Sequence, residues 1–333
     1  MKAIALQFGK AMSAALFVLL LVAVGTKNAL AQTQVATLQH GDDVSVFYGQ
    51  NAFVEAHAAA ETGDIITLSS GTFVPCDITK AITLRGAGCA IDTVASTNPT
   101  IFGGNITLNV ADTANFLTIE GMLFTNTVYY STLYNPKYIR CNFTEIGRYS
   151  SYHYMNNAQF VNCIIDEFNL DNAFGTTFIN SVMWRPSWPH HTILAYNSIL
   201  RHWDYSNLSA YNTILVNGDN SYSLLSACSC INCLGVGISF GQAYNSGCAI
   251  YDSYEEVFES FAGEFSLDEP FILKDEIASG FLGSDGTQVG IYGGFMPYNP
   301  RPTYMVLKRC NVANKSTIDG KLSVDIEVVT EEE

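Results

Sequence analysis

Along the middle of the chain, short apolar runs are broken at regular intervals by one polar and one small residue. The unit reads apolar, Asn, then Cys, Ser or Thr, then apolar again. It occurs as Val161-Asn162-Cys163-Ile164, Ile179-Asn180-Ser181-Val182, Tyr196-Asn197-Ser198-Ile199, Tyr211-Asn212-Thr213-Ile214 and Ile231-Asn232-Cys233-Leu234. The Asn positions lie 18, 17, 15 and 20 residues apart. Weaker copies precede them at Ile119-Glu120-Gly121-Met122 and Ile139-Arg140-Cys141-Asn142, with steps of 20 and 22. A near-constant period of this kind predicts a solenoid. Its coils stack at the strand spacing of about 4.8 Å, so equivalent residues form ladders. Asn tolerates the left-handed backbone of a tight turn and its amide can bond the Asn above and below. The small residue after it points into a narrow interior. The runs that follow do not alternate, a pattern that a packed parallel solenoid can produce.

The flanks read differently. Residues 32–48 form an opening strand, and residues 51–60 a helix with an apolar stripe at Ala52, Phe53, Ala56 and Ala59/Ala60, ended by Gly63. Short β-branched strands and turns follow to Gly88. From about Tyr251 the period stops, and residues 254–261 have the pattern of a short amphipathic helix. Pro297, Pro300 and Pro302 make an extended linker to two strand-like runs, residues 303–312 and 321–329, with a turn near Asp319-Gly320. That hairpin, ending in Glu331-Glu332-Glu333, is predicted to cap the last coil, because an open solenoid end is an aggregation-prone edge.

The phrase Gly63-Asp64-x-Ile66-x-Leu68-x-x-Gly71-Thr72-Phe73, then Ile82-Thr83-Leu84-Arg85-Gly86, resembles the opening of secreted bacterial right-handed parallel β-helix proteins of the pectate-lyase-like superfamily. Residues 283–294 resemble their closing segment. The resemblance covers about residues 45–294 and implies an all-β chain: a right-handed parallel β-helix with an N-terminal capping helix. Pectate lyases and polygalacturonases of that superfamily carry Asp-rich catalytic signatures. The repeats hold no matching set, so no catalytic residue is carried over.

The first residues read as a processing signal. Lys2 and Lys10 give a positive start, Ala14 to Val24 an apolar core, and Ala29-Leu30-Ala31 the small residues needed before cleavage at Gln32. The apolar run is too short to span a bilayer comfortably, and no later run is long enough to try. The chain divides into a signal peptide (1–31), a β-helix with its cap (32–294) and a linker-and-hairpin tail (295–333). Export to the periplasm, cell surface or medium is expected. Losing Lys2, Lys10 and Lys27 from 16 basic residues leaves 13 against 31 acidic ones, a net charge of −18. That charge repels nucleic acid and anionic membranes. Nine cysteines in an exported chain suggest disulfides plus one left over. Cys141, Cys163 and Cys233, however, fill the repeat slot that takes Ser or Thr elsewhere, which makes them buried stack residues as readily as bridge partners. Cys230-x-x-Cys233, with Cys228 and Cys248 nearby, lacks the second CxxC or CxxH of a zinc site.

Aligning the repeats on their anchors brings chemistry together. Five residues beyond stand Glu145, Glu167, Arg185, His202 and Asn217; four beyond stand Thr144, Asp166, Trp184, Arg201 and Val216. Coils in register make these two adjoining columns, with neighbours about 5 Å apart. Trp188, Pro189, His190 and His191, then Trp203, Asp204 and Tyr205, follow at the same place in consecutive coils. One reading is a carbohydrate groove in which Trp184, Trp188, His190, Arg201, Trp203 and Asp204 stack on or hold sugars. A second is catalysis by Glu145, Glu167, Arg185 and His202. Glu145 and Glu167 stand near a retaining glycosidase's separation. Alternatively Asp166 and Asp171, with Glu167, could hold Ca²⁺ for a lyase in which Arg185 or Arg201 takes the proton. The third is structural: Glu167 and Arg185 as a solvated ion pair, with aromatics covering the core. The loop Tyr149-Ser150-Ser151-Tyr152-His153-Tyr154 either lines a groove or bridges two turns. His57 is expected at the surface and Asp285 in a turn.

These observations give an exported, monomeric, surface or extracellular protein that binds a polysaccharide or cell-surface glycan. No cofactor is called for unless Ca²⁺ serves a lyase. The alternatives are a polysaccharide lyase or glycoside hydrolase acting on an acidic or plant-type polysaccharide, and a structural or adhesive surface protein.

Overall fold

The computed structural model describes residues 34–92, 97–187, 191–201, 207–217, 228–241, 244–301, 305–312 and 324–330, with side chains described up to residue 301. Residues 1–31, expected from the sequence to be a signal peptide, fall outside this set. Among the described residues no helix is long and apolar enough to cross a membrane.

Two long sheets carry the repeats, one of 12 strands and one of 13. From Ile65–Leu68 to Tyr244–Ser246 every pairing in the first sheet is parallel, and the second sheet is parallel throughout. Strands distant in sequence are thereby laid side by side in order, which is a parallel β-helix. The register is strict. Ile139, Val161, Ile179, Tyr196, Tyr211, Ile231 and Ser246 stand level in the first sheet. Asn142, Ile164, Val182, Ile199, Ile214, Leu234 and Ala249 stand level in the second.

Between these two rows lie only the anchor and the small residue after it. Arg140, Asn162, Asn180, Asn197, Asn212 and Asn232 all have positive φ, from 46° to 54°. Each anchor amide donates to the carbonyl before the anchor of the next coil, as in Asn180 N to Tyr196 O at 3.0 Å and Asn197 N to Tyr211 O at 3.0 Å. The earliest copy sits one residue later than the sequence pattern places it. Gly121, not Glu120, takes the left-handed position (φ 66°), because Ile139 pairs with Glu120.

Inside, aromatic rings stack coil on coil. Tyr138, Phe160 and Phe178 have centroids 4.8 and 5.3 Å apart, and Phe124 lies on Phe143 at 4.8 Å. The small residues form a second ladder: Cys163 N donates to Ser181 Oγ, Ser181 N to Ser198 Oγ and Ser198 N to Thr213 Oγ1. All of these residues are buried.

The start of the chain departs from expectation. Residues 32–48 contain two antiparallel strands, Val35–His40 and Asp43–Tyr48, turned at Gly41 (φ 59°). The helix Ala52–Ala59 forms as predicted and buries Phe53. Its C-terminal carbonyls are held by Lys80, whose Nζ donates to His57 O (2.6 Å), Ala58 O (3.0 Å) and Ala60 O (2.7 Å). His57, expected at the surface, is buried instead, with its ring centroid 5.9 Å from that of Phe53.

The end of the chain departs further. Val182, Ile199, Ile214 and Leu234 are not interior; they form a second apolar cluster with Val257, Phe258, Phe261, Phe271, Leu273, Val289 and Ile291. The segment after Tyr251 therefore folds back over the outside of the second sheet. Each apolar side chain covered this way contributes about 1.5–3 kcal/mol. Both faces of these strands are buried, which is why their sequence does not alternate. The strap then runs along the Asn turns. Asn212 Oδ1 accepts from Ser284 N (2.9 Å), and Asn180 Nδ2 donates to Ile291 O (2.8 Å) and Gly293 O (2.7 Å). Asp285 makes the expected turn, accepting from Thr287 N and Oγ1. A Cβ on Gly283 would lie 2.7 Å from Asn212 Cγ, and Gly290 takes a left-handed backbone (φ 80°) in which its Cβ would also meet Ile214 Cδ1.

Further on, Arg301 pairs with Asp92 at 3.5 Å and Pro300 O accepts from Cys89. The chain leading to the hairpin Met305–Val312/Val324–Thr330 is thus anchored beside the first coils. The hairpin was expected over the last coil; its approach lies at the other end, because the strap runs back along the solenoid. In the last coil, Ile250 stands level with Gly235 and is 53% exposed.

Asn180→Ala removes two donors from buried carbonyls and puts Ala in a left-handed turn. It is expected to cost about 2–4 kcal/mol in denaturant unfolding, and Asn180→Gly, which keeps the turn, about 1–2. Burial, then Lys80, hold His57 below its ordinary value of 6.5. The unfolded chain binds the extra proton, so the folded state should lose stability as pH falls below about 6.5. His57→Gln should flatten that part of the pH–stability curve.

Candidate functional site

On Ile164–Asn169 and Val182–Ser187 the strap covers only the first part of each strand, whereas Ile214–Val216 and Leu234–Val236 are buried along their length. Beyond it, the columns expected from the alignment are in register: Thr127 pairs with Glu145, Glu145 with Glu167, and Glu167 with Arg185. Thr127 Oγ1 donates to Glu145 Oε2 at 2.6 Å. Arg185 reaches both Asp166 Oδ2 (2.5 Å) and Glu167 Oε1 (2.6 Å), and its Nε donates to Asp166 Oδ1 (2.8 Å). The hydrogen bond to Asp166 raises the Arg185 pKa further above its ordinary value. A guanidinium so held is a poor proton acceptor, which argues against Arg185 as a lyase base.

The calcium arrangement is not assembled either. Asp166 is taken by Arg185, and Asp171 pairs with Arg148 at 2.7 Å, so each carboxylate already has its cation. Among the described residues no group of three or more His, Cys, Asp or Glu converges to hold a metal ion.

Trp184 is a correction. It lies in the strap-covered cluster, 4% exposed, stacked on Phe265 at 5.3 Å and edge-on to Phe261 at 5.2 Å. Arg201 sits 5.3 Å over the same ring, and its Nε donates to Asn217 O. Neither ring face is open to a sugar, so Trp184 and Arg201 belong to the packing of the strap. His202, Trp188, His190, Trp203 and Asp204 lie outside the described residues. Their neighbour His191 packs on Phe174, with centroids 4.1 Å apart.

The aromatic component of the open face comes from elsewhere. Tyr129 pairs with Gly147, and a Cβ there would lie 3.3 Å from the Tyr129 ring; the glycine leaves room for that ring. Tyr149 meets Tyr129 edge-on at 6.2 Å, and His153 lies 5.7 Å from Tyr149 with its Nδ1 3.0 Å from Ser150 Oγ. Tyr149 is 62% and Tyr152 90% exposed. The 149–154 loop is legible in the sequence, but Tyr129, between the copies at Ile119 and Ile139, stands beyond the offsets that align the charged residues. Gly147, two residues beyond Glu145 on the same strand, places Tyr129 about 7 Å along from the carboxylate column, with Tyr149 further out past the strand's end.

Compared with family models, curated proteins and solved structures, the chain matches none. Residue roles therefore rest on geometry alone.

Trp184→Ala is expected to cost about 3–5 kcal/mol of stability, as for a core aromatic. Arg185→Met should cost no more than about 1 kcal/mol, as for an exposed ion pair. Denaturant titration of the two variants separates packing from the open face.

Proposed function

We propose that this is an exported protein whose uncovered face binds carbohydrate without cleaving it. The observation that carries the reading is a tyrosine shelf, the exposed Tyr149 and Tyr152 with the half-buried Tyr129 and His153, on the same face as Glu145, Glu167 and Arg185. Tyrosine faces stack on sugar rings while carboxylate and guanidinium groups accept and donate to hydroxyls. The column runs across the strands, one residue per coil, so an extended glycan would lie along the solenoid axis.

Binding rather than catalysis fits the committed side chains. Glu145 accepts from Thr127, and Glu167 and Asp166 share Arg185. A lyase would need Ca²⁺ held by Asp166 and Asp171, and each would first have to give up its arginine.

A glycan array with the secreted protein tests the reading. Binding to an extended glycan is expected, weakened about tenfold in Tyr149→Ala/Tyr152→Ala, as the loss of two ring contacts implies. Failure to bind any glycan would sink it and leave the adhesive alternative. Unsaturated products or new reducing ends from polysaccharide, with or without Ca²⁺, would overturn the non-catalytic part. For export, the mature product should begin at Gln32 by N-terminal sequencing.

A further inference from the structure

The ladder of small residues has an order that its packing role does not require. Coil by coil it reads Cys141, Cys163, Ser181, Ser198, Thr213, Cys233, Cys248. Cysteines occupy both ends in vertically adjacent pairs, and hydroxyls the middle. The register makes the pairing strict: Ile231 pairs with Ser246 and Leu234 with Ala249, which sets Cys233 level with Cys248. Ile139 with Val161 and Asn142 with Ile164 set Cys141 level with Cys163 in the same way. All four are free thiols.

The two pairs differ in access. Cys141 and Cys163 are 0% exposed inside the stack. Cys233 is equally buried, but Cys248 belongs to the last described coil and is only partly covered. Its Sγ lies 3.4 Å from Cys233 N and 3.4 Å from Cys230 O. Neighbouring coils stand about 4.8 Å apart, within the roughly 4.4–6.8 Å Cα range that a disulfide spans. A terminal coil is stacked on one side only, so it opens more readily than those inside.

We infer that Cys233 and Cys248 are the site of an inter-coil disulfide, formed by exchange with a small disulfide such as oxidised glutathione, that clamps the last coil to the one before it. The Cys248 thiolate attacks one glutathione sulfur and releases one glutathione thiol. The Cys233 thiolate then displaces the second glutathione from Cys248. Two protein thiols become one disulfide, one oxidised glutathione becomes two reduced ones, and no other oxidant is needed. The hydrogen bond with Cys233, then burial, pushes the Cys248 thiol well above its ordinary value, and burial pushes Cys233 up to about 12, so the exchange is slow and awaits opening of the last coil. The inference does not depend on carbohydrate binding.

Serine already fills this slot at positions 181 and 198, so Cys233→Ser and Cys248→Ser are expected to fold. The full chain is incubated with oxidised glutathione under native conditions, unfolded, alkylated and mapped by mass spectrometry after cleavage between residues 233 and 248. The expected result is a Cys233–Cys248 link, two hydrogens lighter, with Cys141 and Cys163 alkylated and a raised denaturant midpoint. Neither serine variant should form the link or show the midpoint rise. A chain with all thiols still alkylatable would overturn the inference. So would glutathione left on Cys248, or a bond that uses Cys230 or Cys310 instead.

Discussion

One turn per coil holds this molecule together. At each anchor the backbone passes into the left-handed region, crosses from one sheet to the other in two residues, and donates its amide to the next coil. Residues other than glycine resist that conformation, and asparagine resists it less than most. Because the turn is so short, the residues before and after it are fixed in register. The aromatic stack, the hydroxyl and thiol ladder and the charged column are consequences of that repetition at the strand spacing.

The same turns are where the chain's end attaches. The side chains of Asn180 and Asn212 bond the returning strap, and glycines at 283 and 290 allow its backbone to approach within contact distance. The strap gives the second sheet a buried outer face and closes over Trp184. What it leaves uncovered defines the candidate face. Function on this fold is therefore a matter of where the covering segment stops.

Much of the fold was legible because period is a local property. The spacing of Asn162, Asn180, Asn197, Asn212 and Asn232 reports coil length directly, and the small residue that follows reports the narrow interior. The charged column was legible for the same reason: Glu145, Glu167 and Arg185 sit at one offset from their anchors, and the register keeps that offset. Trp184 shares the bookkeeping but not the environment. Its neighbours Phe261, Phe265 and Phe271 come from a segment with no periodic relation to it. Tyr129 was missed for the converse reason, since its partner Gly147 is a residue with no side chain to notice.

The sequence determined the solenoid, the anchor turns, the stacked small residues and the register of the acidic column, because each is encoded by spacing within a coil and its neighbours. Only the tertiary structure decided which outer surfaces are sealed, that the strap returns toward Asp92, and that His57 and Trp184 are buried while Tyr149 and Tyr152 are not. Those outcomes depend on contacts between segments up to a hundred residues or more apart. No repeat unit carries information about what will lie across its outer face.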